Sequence, residues 1–491
     1  MAKESVNREL TADPHPNKIG IKEGMGYMLG DAGNLFVLTY VSSFLKIFYT
    51  DVLKIATDRV ANLFLFTRLW DAINDPMWGA IVAKKKPSKD GKFRPYLKWV
   101  SIPLAVSQLL CFVDISKITQ NDIIILIFAY ITYIAFGMLY TGMNVPFGSL
   151  ASVITDDPAG RTLLSTFRTI GGGIGGAAPL LIAPMLIYVK TGQLDELGKD
   201  IKVASSGKMC AFALVMAVLA IVFYLACYKT TRERVASDEE PNVDMKKTYL
   251  GMFKSKPFVI LALTGILISG QLQFASLNQY LYKNYFTNTS LSIFGTIAQY
   301  LPMAIMIPFV PKLSAKYGKK EISMVGAFIA AIAAVATFIL KPGPDQPWLY
   351  IALLFGIGFG YSTVSITNWA VVSDVIDFQF FKTGIRSESA IYAVYTFSRK
   401  LGQTAADYGG LKLLGNYAGY DKSMANLGFV KGVSEKILTI CTVIPAITYS
   451  LIFILYLIFP LTKKNLEPVY EYTRKANSQA TERKAKELNS I

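Results

Sequence analysis

The chain has 491 residues, 52% of them apolar and only 17% charged, and its mean hydropathy is positive. Soluble domains carry nearer a quarter charged, so this balance argues against an ordinary water-soluble enzyme. Lys and Arg outnumber Asp and Glu by 50 to 34, but a nucleic-acid binder needs that excess on a basic face of a soluble fold, and none is predicted.

A helix that crosses a bilayer takes about 20 mostly apolar residues. In chain order, such spans are predicted over 24–49, 58–83, 96–113, 123–139, 162–189, 211–228, 257–284, 291–315, 322–340, 347–373, 390–416 and 437–461. The fourth, sixth, ninth and twelfth are nearly free of charge and far too long for strands. With both termini inside, most of the Lys and Arg fall on the cytoplasmic side, as they do in membrane proteins generally. An odd number of spans would move half of these clusters outside. The N-terminal stretch has no short apolar core followed by a cleavage site, so it reads as a tail and the first span inserts uncleaved.

The expected organisation is a cytoplasmic N-terminal tail (1–23), a six-helix half (24–228), a cytoplasmic linker (229–256), a second six-helix half (257–461) and a cytoplasmic C-terminal tail (462–491). Internal similarity supports two halves. Gly91-Lys92 recurs as Gly318-Lys319, and the stretch from Asn144 to Arg161 recurs from Asn368 to Arg386, each at an offset of about 225 residues. Two parallel halves across a central linker is the plan of the major facilitator architecture, where substrate sits at the midplane.

Charged and polar groups inside spans are costly and therefore informative. On the first span, Asp31 and Asn34 lie three apart on one helix face; an interfacial cap is the competing role for Asp31. On the second, Arg68-Leu-Trp70-Asp71-Ala-Ile-Asn74-Asp75-Pro76 stacks two carboxylates one turn apart with Asn74 nearby. Such a pair repels, and is a good acceptor of a proton or a small cation. The structural alternative is that Asp75 caps a helix broken by Pro76 and Asp71 pairs with Arg68. On the fourth, Tyr140, Thr141 and Asn144 precede Pro146, offering neutral oxygen donors beside a freed carbonyl. On the fifth, Arg168 precedes Gly171-Gly172-Gly173 and Gly175-Gly176, which let the helix approach its neighbours closely; Arg168 itself either lies in a site or snorkels to the surface.

Between the tenth and eleventh spans, Lys382, Arg386 and Glu388 can form a gate of opposite charges or an ordinary solvated loop. Lys400 lies too deep in the eleventh span to reach water easily and calls for a carboxylate or a hydrated cavity. Trp70, Tyr140, Tyr361, Trp369 and Tyr392 can stack on a sugar ring, although aromatic residues in spans more often pack or sit at interfaces. The single histidine, His15, lies in the polar tail, and the four cysteines lack paired spacing. Neither an imidazole base in the core, a His-bound metal nor a disulfide framework is therefore expected.

These motifs resemble the glycoside-pentoside-hexuronide cation symporters of the major facilitator superfamily, the group that includes melibiose permease. The resemblance runs from Tyr27 to about Tyr417 and rests on Arg68-Leu-Trp-Asp71-Ala-Ile-Asn-Asp75-Pro followed by Gly91-Lys-Phe-Arg94-Pro, on Asn144-Val-Pro-Phe-Gly, and on Asp374-Val-Ile-Asp377 with Lys382-Thr-Gly384-Ile-Arg386-Ser-Glu388. It implies a coupling-cation site at Asp71 and Asp75 with Asn74 and Thr141 as auxiliary ligands. It also implies sugar contacts at Asn144 and Arg168, with Lys400 setting the charge balance. The chain departs from melibiose permease at Asn144, where that protein has Asp; at Leu35, where its first-span carboxylate falls; and at Gly148, where it has an aromatic residue. These departures place the chain nearer the pentoside and hexuronide members.

The expectation is an all-α membrane protein of twelve transmembrane helices that carries a sugar or glycoside with Na+ or H+ by alternating access. It would act as a monomer in the plasma (inner) membrane, with no enzymatic activity, cofactor or nucleic-acid partner. The substrate contacts expected are Asp31, Asn34, Asn144, Arg168, Lys400 and Trp369, and Asp71 and Asp75 would ligate a metal only if the ion is Na+. No G-x-x-x-x-G-K-S/T loop is present, so ATP is not the expected energy source. The rival readings are a lysophospholipid symporter, which would need an apolar lateral cavity, and a non-transporting sugar sensor, for which no output domain is evident.

Overall fold

A computed structural model describes residues 19–85, 88–155, 158–234, 255–384 and 388–473. Backbone groups inside hydrocarbon find no water, so apolar segments of this length close their hydrogen bonds internally as helices. The described helices are α1 (Ile21–Ile47), α2 (Thr57–Lys84), α3 (Arg94–Trp99), α4 (Ser101–Cys111), α5 (Asp122–Ile154), α6 (Pro158–Leu186), α7 (Ser206–Thr230), α8 (Lys256–Phe274), α9 (Leu291–Met306), α10 (Val310–Tyr317), α11 (Lys319–Leu340), α12 (Pro347–Thr383), α13 (Glu388–Lys412) and α14 (Lys431–Ile458). Helix α1 continues through a π-helical turn at Phe48–Val52, and α13 through one at Leu413–Tyr417.

Among the described residues, eight helices are long and apolar enough to cross a membrane, and α9 with α10 forms a ninth span bent by 57°. Helices α2 and α13 fall short of that test because they carry the polar residues singled out above, and α3–α4 is one span interrupted at Val100. Together these are the twelve spans of a major facilitator fold.

The structure differs from the predicted elements in several further places. The eighth span is broken between Met306 and Val310, just after Pro302 removes a hydrogen bond. The fourth span runs on through Pro146 to Ile154, as membrane helices tolerate an internal proline. After the fifth span the chain forms a hairpin, β1 (Tyr188–Leu194) with β2 (Asp200–Ala204), whose mixed polar sequence carries no helical period. Residues 463–473, expected as tail, are helical. Leu466 and Val469 in that segment bury themselves against Phe258, Val371, Val375 and Ile391.

The chain forms two compact units. The first comprises Met1–Thr191, Val203–Pro241 and Lys422–Asn426; the second comprises Gly192–Lys202, Asn242–Asp421 and Leu427–Ile491. Each holds a pair of helices in very close contact. In the first, a Cβ on Gly175 would lie 2.5 Å from the Ala32 carbonyl oxygen, so α6 rests directly on the α1 backbone. In the second, a Cβ on Gly270 would stand 3.0 Å from the Gly402 carbonyl oxygen, placing α8 on α13 in the same way. Small residues are what allow helices to associate in lipid, where no hydrophobic force drives them together.

The segment that leaves the last helix of each unit folds back on a glycine turn. In the first unit, Glu233 accepts the backbone N–H groups of Lys92, Phe93 and Arg94, each at 2.8 Å. Gly91 beside them has φ +103°, which only glycine adopts without strain. Arg234 donates to both carboxylate oxygens of Glu23, at 3.0 and 3.1 Å. In the second unit, Tyr470 donates to Asp374 at 2.7 Å, and Lys319, beside Gly318, donates to the same oxygen. Burial and the adjacent Asp374 hold the Tyr470 hydroxyl pKa above its ordinary value.

Overpacking a tight helix contact costs about 1–3 kcal/mol. Gly175→Val is therefore expected to lower the thermal unfolding midpoint of the purified protein by several degrees. Gly173→Ala, which meets nothing within 4 Å, should leave it unchanged.

Candidate functional site

The polar residues predicted from the first six spans assemble into two clusters of the first unit. In one, α2 and α5 face each other over two turns. The Asp71 carboxylate lies against Gly137, where a Cβ would be 3.2 Å from its oxygen. One turn further, Thr141 donates its hydroxyl to Asp75 at 2.9 Å. The i, i+4 spacing of Asp71 and Asp75 thus meets the i, i+4 spacing of Gly137 and Thr141, and the small residue makes room where the hydroxyl does not reach. Asn74 is fully buried, and neither its amide nitrogen nor its oxygen has a hydrogen-bond partner among the described residues. Leaving both ends of a buried amide unpaired costs about 1–3 kcal/mol each. Arg68 stands 3.8 Å from Asp71, the ion pair that the structural alternative foresaw, while Asp75 engages Thr141 rather than capping a helix end, since α2 runs unbroken through Pro76.

In the other cluster, α1, α5, α6 and α7 meet. Asp31 is 7% exposed, and Arg168 donates Nε–H to it at 3.2 Å. The guanidinium also lies 5.6 Å from the Phe147 ring centroid, and Phe147 stacks on Tyr27 at 4.8 Å. Arg168 therefore turns inward to a buried carboxylate instead of snorkelling. Asn34, 3% exposed, donates through Nδ2 to Asn144 Oδ1 at 3.0 Å and to Tyr140 Oη at 3.3 Å. Its own oxygen accepts from the Tyr224 hydroxyl at 3.1 Å. Asp31 and Asn34 share a helix face as expected, but they serve different partners on different helices.

Tyr224 is the member that sequence reasoning missed. It is a tyrosine in a long apolar span, and nothing in its neighbours marks it; only the fold brings its hydroxyl to Asn34.

The remaining predicted residues lie in the second unit. Lys400 is half-buried on α13, next to Arg399, whose Nε donates to Ser269 at 2.9 Å. Lys382 is exposed in the last turn of α12, which extends helix through the predicted junction. Arg386 and the side chains of Trp369 and Glu388 lie outside the described residues. Among the described residues, no group of three or more His, Cys, Asp or Glu is placed to hold a metal ion.

Residues 26–463 match the family described as MFS/sugar transport protein. The chain belongs to that family. It is a transporter and not an enzyme. Its relatives include an uncharacterized symporter, YjmB, of Bacillus subtilis, 31% identical over 421 residues that cover 83% of this chain and 86% of that one. A glucuronide carrier protein homolog of Escherichia coli is 26% identical over 454 residues, covering 91% and 93%. Among solved structures, the nucleoside transporter NupG superposes with a TM-score of 0.61 at 12% identity, covering 89% of this chain and 98% of that one. The D-xylose-proton symporter gives 0.60 at 13% identity, covering 90% and 98%; at such identities the likeness is one of fold.

Removing the cation beside a buried carboxylate strands the negative charge of Asp31. Arg168→Gln is expected to lower the unfolding midpoint by several degrees, and adding Asp31→Asn should recover most of the loss. Differential scanning of the two variants beside the parent provides the check.

Proposed function

We propose that the chain carries a sugar or glycoside across the plasma (inner) membrane together with a monovalent cation, Na+ or H+, by alternating access. The observation that carries this reading is the α2–α5 ladder. Two carboxylates one turn apart, a threonine hydroxyl on one of them and a buried asparagine with no hydrogen-bond partner among the described residues supply the oxygen ligands a small cation needs, or a pair that shares a proton. Asp71, Asp75, Asn74 and Thr141 are its coupling site, and Asp71 and Asp75 ligate the metal where that ion is Na+. The relatives support the transported class: besides the glucuronide carrier homolog, they include an isoprimeverose transporter of Lactiplantibacillus pentosus and a putative glycoside/cation symporter of Escherichia coli.

Asp31, Asn34, Asn144 and Arg168 are the sugar-facing residues of the first unit. An arrangement of amides, a carboxylate and a guanidinium suits hydroxylated ligands and is unsuited to an acyl chain, which weighs against a lysophospholipid. Lys400 and Trp369 belong to the second unit, and their part in sugar binding rests on the sequence motifs. Lys382, Arg386 and Glu388 are assigned to a gate by their charges and their place after α12. The positive-inside bias supports cytoplasmic termini, and the protein is taken to act as a monomer. A cation moving down about 100 mV supplies about 2.3 kcal/mol, enough for roughly 50-fold sugar accumulation.

Neutralising either ladder carboxylate should separate coupling from translocation. Asp71→Asn and Asp75→Asn are each expected to abolish uphill accumulation in energised vesicles while retaining sugar exchange down its gradient. Parental accumulation in both variants would place the coupling site elsewhere.

A further inference from the structure

The hairpin after α6 crosses a boundary in the organisation of the chain. Its flanks, up to Thr191 and from Val203, belong to the first unit, whereas Gly192–Lys202 belongs to the second; Lys422–Asn426 makes the reverse exchange. Each segment follows an odd-numbered span, the fifth and the eleventh. Both therefore lie on one side of the membrane, the outer side by the bias of Lys and Arg.

What fastens the tip of the hairpin is an unfinished helix end in the second unit. The first N–H groups of a helix have no partner within it, and α14 starts after Val430, whose side chain cannot accept. Acceptors come from far away in the chain. Glu196 Oε2 accepts the Lys431 N–H at 3.0 Å, and Asp195 Oδ2 accepts that of Phe429 at 3.3 Å. Carboxylates suit this place, where the helix dipole is positive.

Both partners are preformed. The other oxygen of Asp195 accepts from the N–H groups of Leu197 and Lys199, each at 2.9 Å, and so closes the hairpin turn, in which Gly198 has φ +72°. On the receiving side, Asn284 is fully buried and donates to the carbonyls of Leu427 and Gly428 at 3.2 and 3.3 Å, while Ser434 donates to the Asn284 carbonyl at 2.8 Å. The surfaces meet closely: a Cβ on Gly428 would stand 2.8 Å from Asp195 Cβ. Leu194 and Leu197 at the tip stay exposed, so polar bonds that water can replace hold it there. Lys199 with Asp345 at 3.3 Å adds a surface pair of little strength. Such a contact is made to open and reclose.

We propose that the hairpin is an outer strap on the transport cycle: its tip leaves the start of α14 when the units part on that side, and Asp195 and Glu196 are positioning residues that set how readily it leaves. The proposal rests on the alternating-access reading above and adds a device that reading does not contain.

Two measurements on the full chain test it. The first locks the strap. Disulfides need Cβ atoms about 3.5–4.5 Å apart, so Asp195→Cys with Gly428→Cys can cross-link after a small shift. In proteoliposomes the oxidised double variant should exchange nitrophenyl β-glucuronide or nitrophenyl β-xyloside at least about tenfold more slowly than the same protein after reduction, with the oxidised parent unaffected. Recovery on reduction separates a strap from a misfolded variant. Fully cross-linked protein that exchanges at its reduced rate overturns the proposal, because the tip would then stay docked throughout the cycle. The second measurement loosens the strap and needs no sugar. Nitroxides at Gln120→Cys in the first unit and Gln346→Cys in the second, with Cys210→Ser, report the distance between the units by electron–electron resonance. Glu196→Ala should raise the population of longer distances at least about twofold, and Glu196→Gln, which keeps an acceptor, should raise it less. Identical distributions in all three proteins overturn the proposal. Should the parent exchange none of a panel of glycosides, the sugar-transport reading fails on its own and the distances decide the strap.

Discussion

Hydrocarbon solvates no polar group, and every notable feature of this molecule answers to that constraint. The backbone satisfies it by closing into helices. Side chains satisfy it pairwise: Asp31 with Arg168, Asp75 with Thr141, Asn34 with three partners at once. Asn74 is an exception: it is fully buried, and neither amide atom has a hydrogen-bond partner among the described residues.

The same constraint explains why glycine stands where helices approach most closely. Polar partners on neighbouring helices have to come within hydrogen-bond distance, and side chains as short as Asn and Asp cannot span a wide gap. Gly175 lets α6 lie on the α1 backbone, and a Cβ on Gly172 would stand 2.8 Å from Asp31 Oδ2. The close approach that costs helix propensity is what delivers Arg168 to Asp31. In the second unit, Gly270 and Gly402 bring α8 and α13 together by the same means. The two units also share the habit of pinning a glycine turn with the chain that leaves their last helix, by Glu233 in one and by Tyr470 through Asp374 in the other. Each unit is thus tied at its edge as well as through its core.

Much of this was legible in the sequence, for a physical reason: the cost of burying charge in lipid makes each intramembrane Asp, Arg or Lys stand out against an apolar background. That contrast, with helical spacing, located Asp71, Asp75, Asp31 and Arg168 and placed the first two on one face. The twelve spans and the repeat across the linker follow from apolar run lengths and recurring motifs. Tertiary structure decided what periodicity cannot carry. The bend between α9 and α10, the hairpin after α6 and the docking of residues 463–473 depend on contacts far apart in the chain. So does the choice of partners: sequence puts Asp31 beside Asn34, while packing sends one to Arg168 and the other to Asn144. Tyr224 shows the limit most plainly, since a tyrosine in an apolar helix gains its meaning only from the amide, 190 residues away, that its hydroxyl meets.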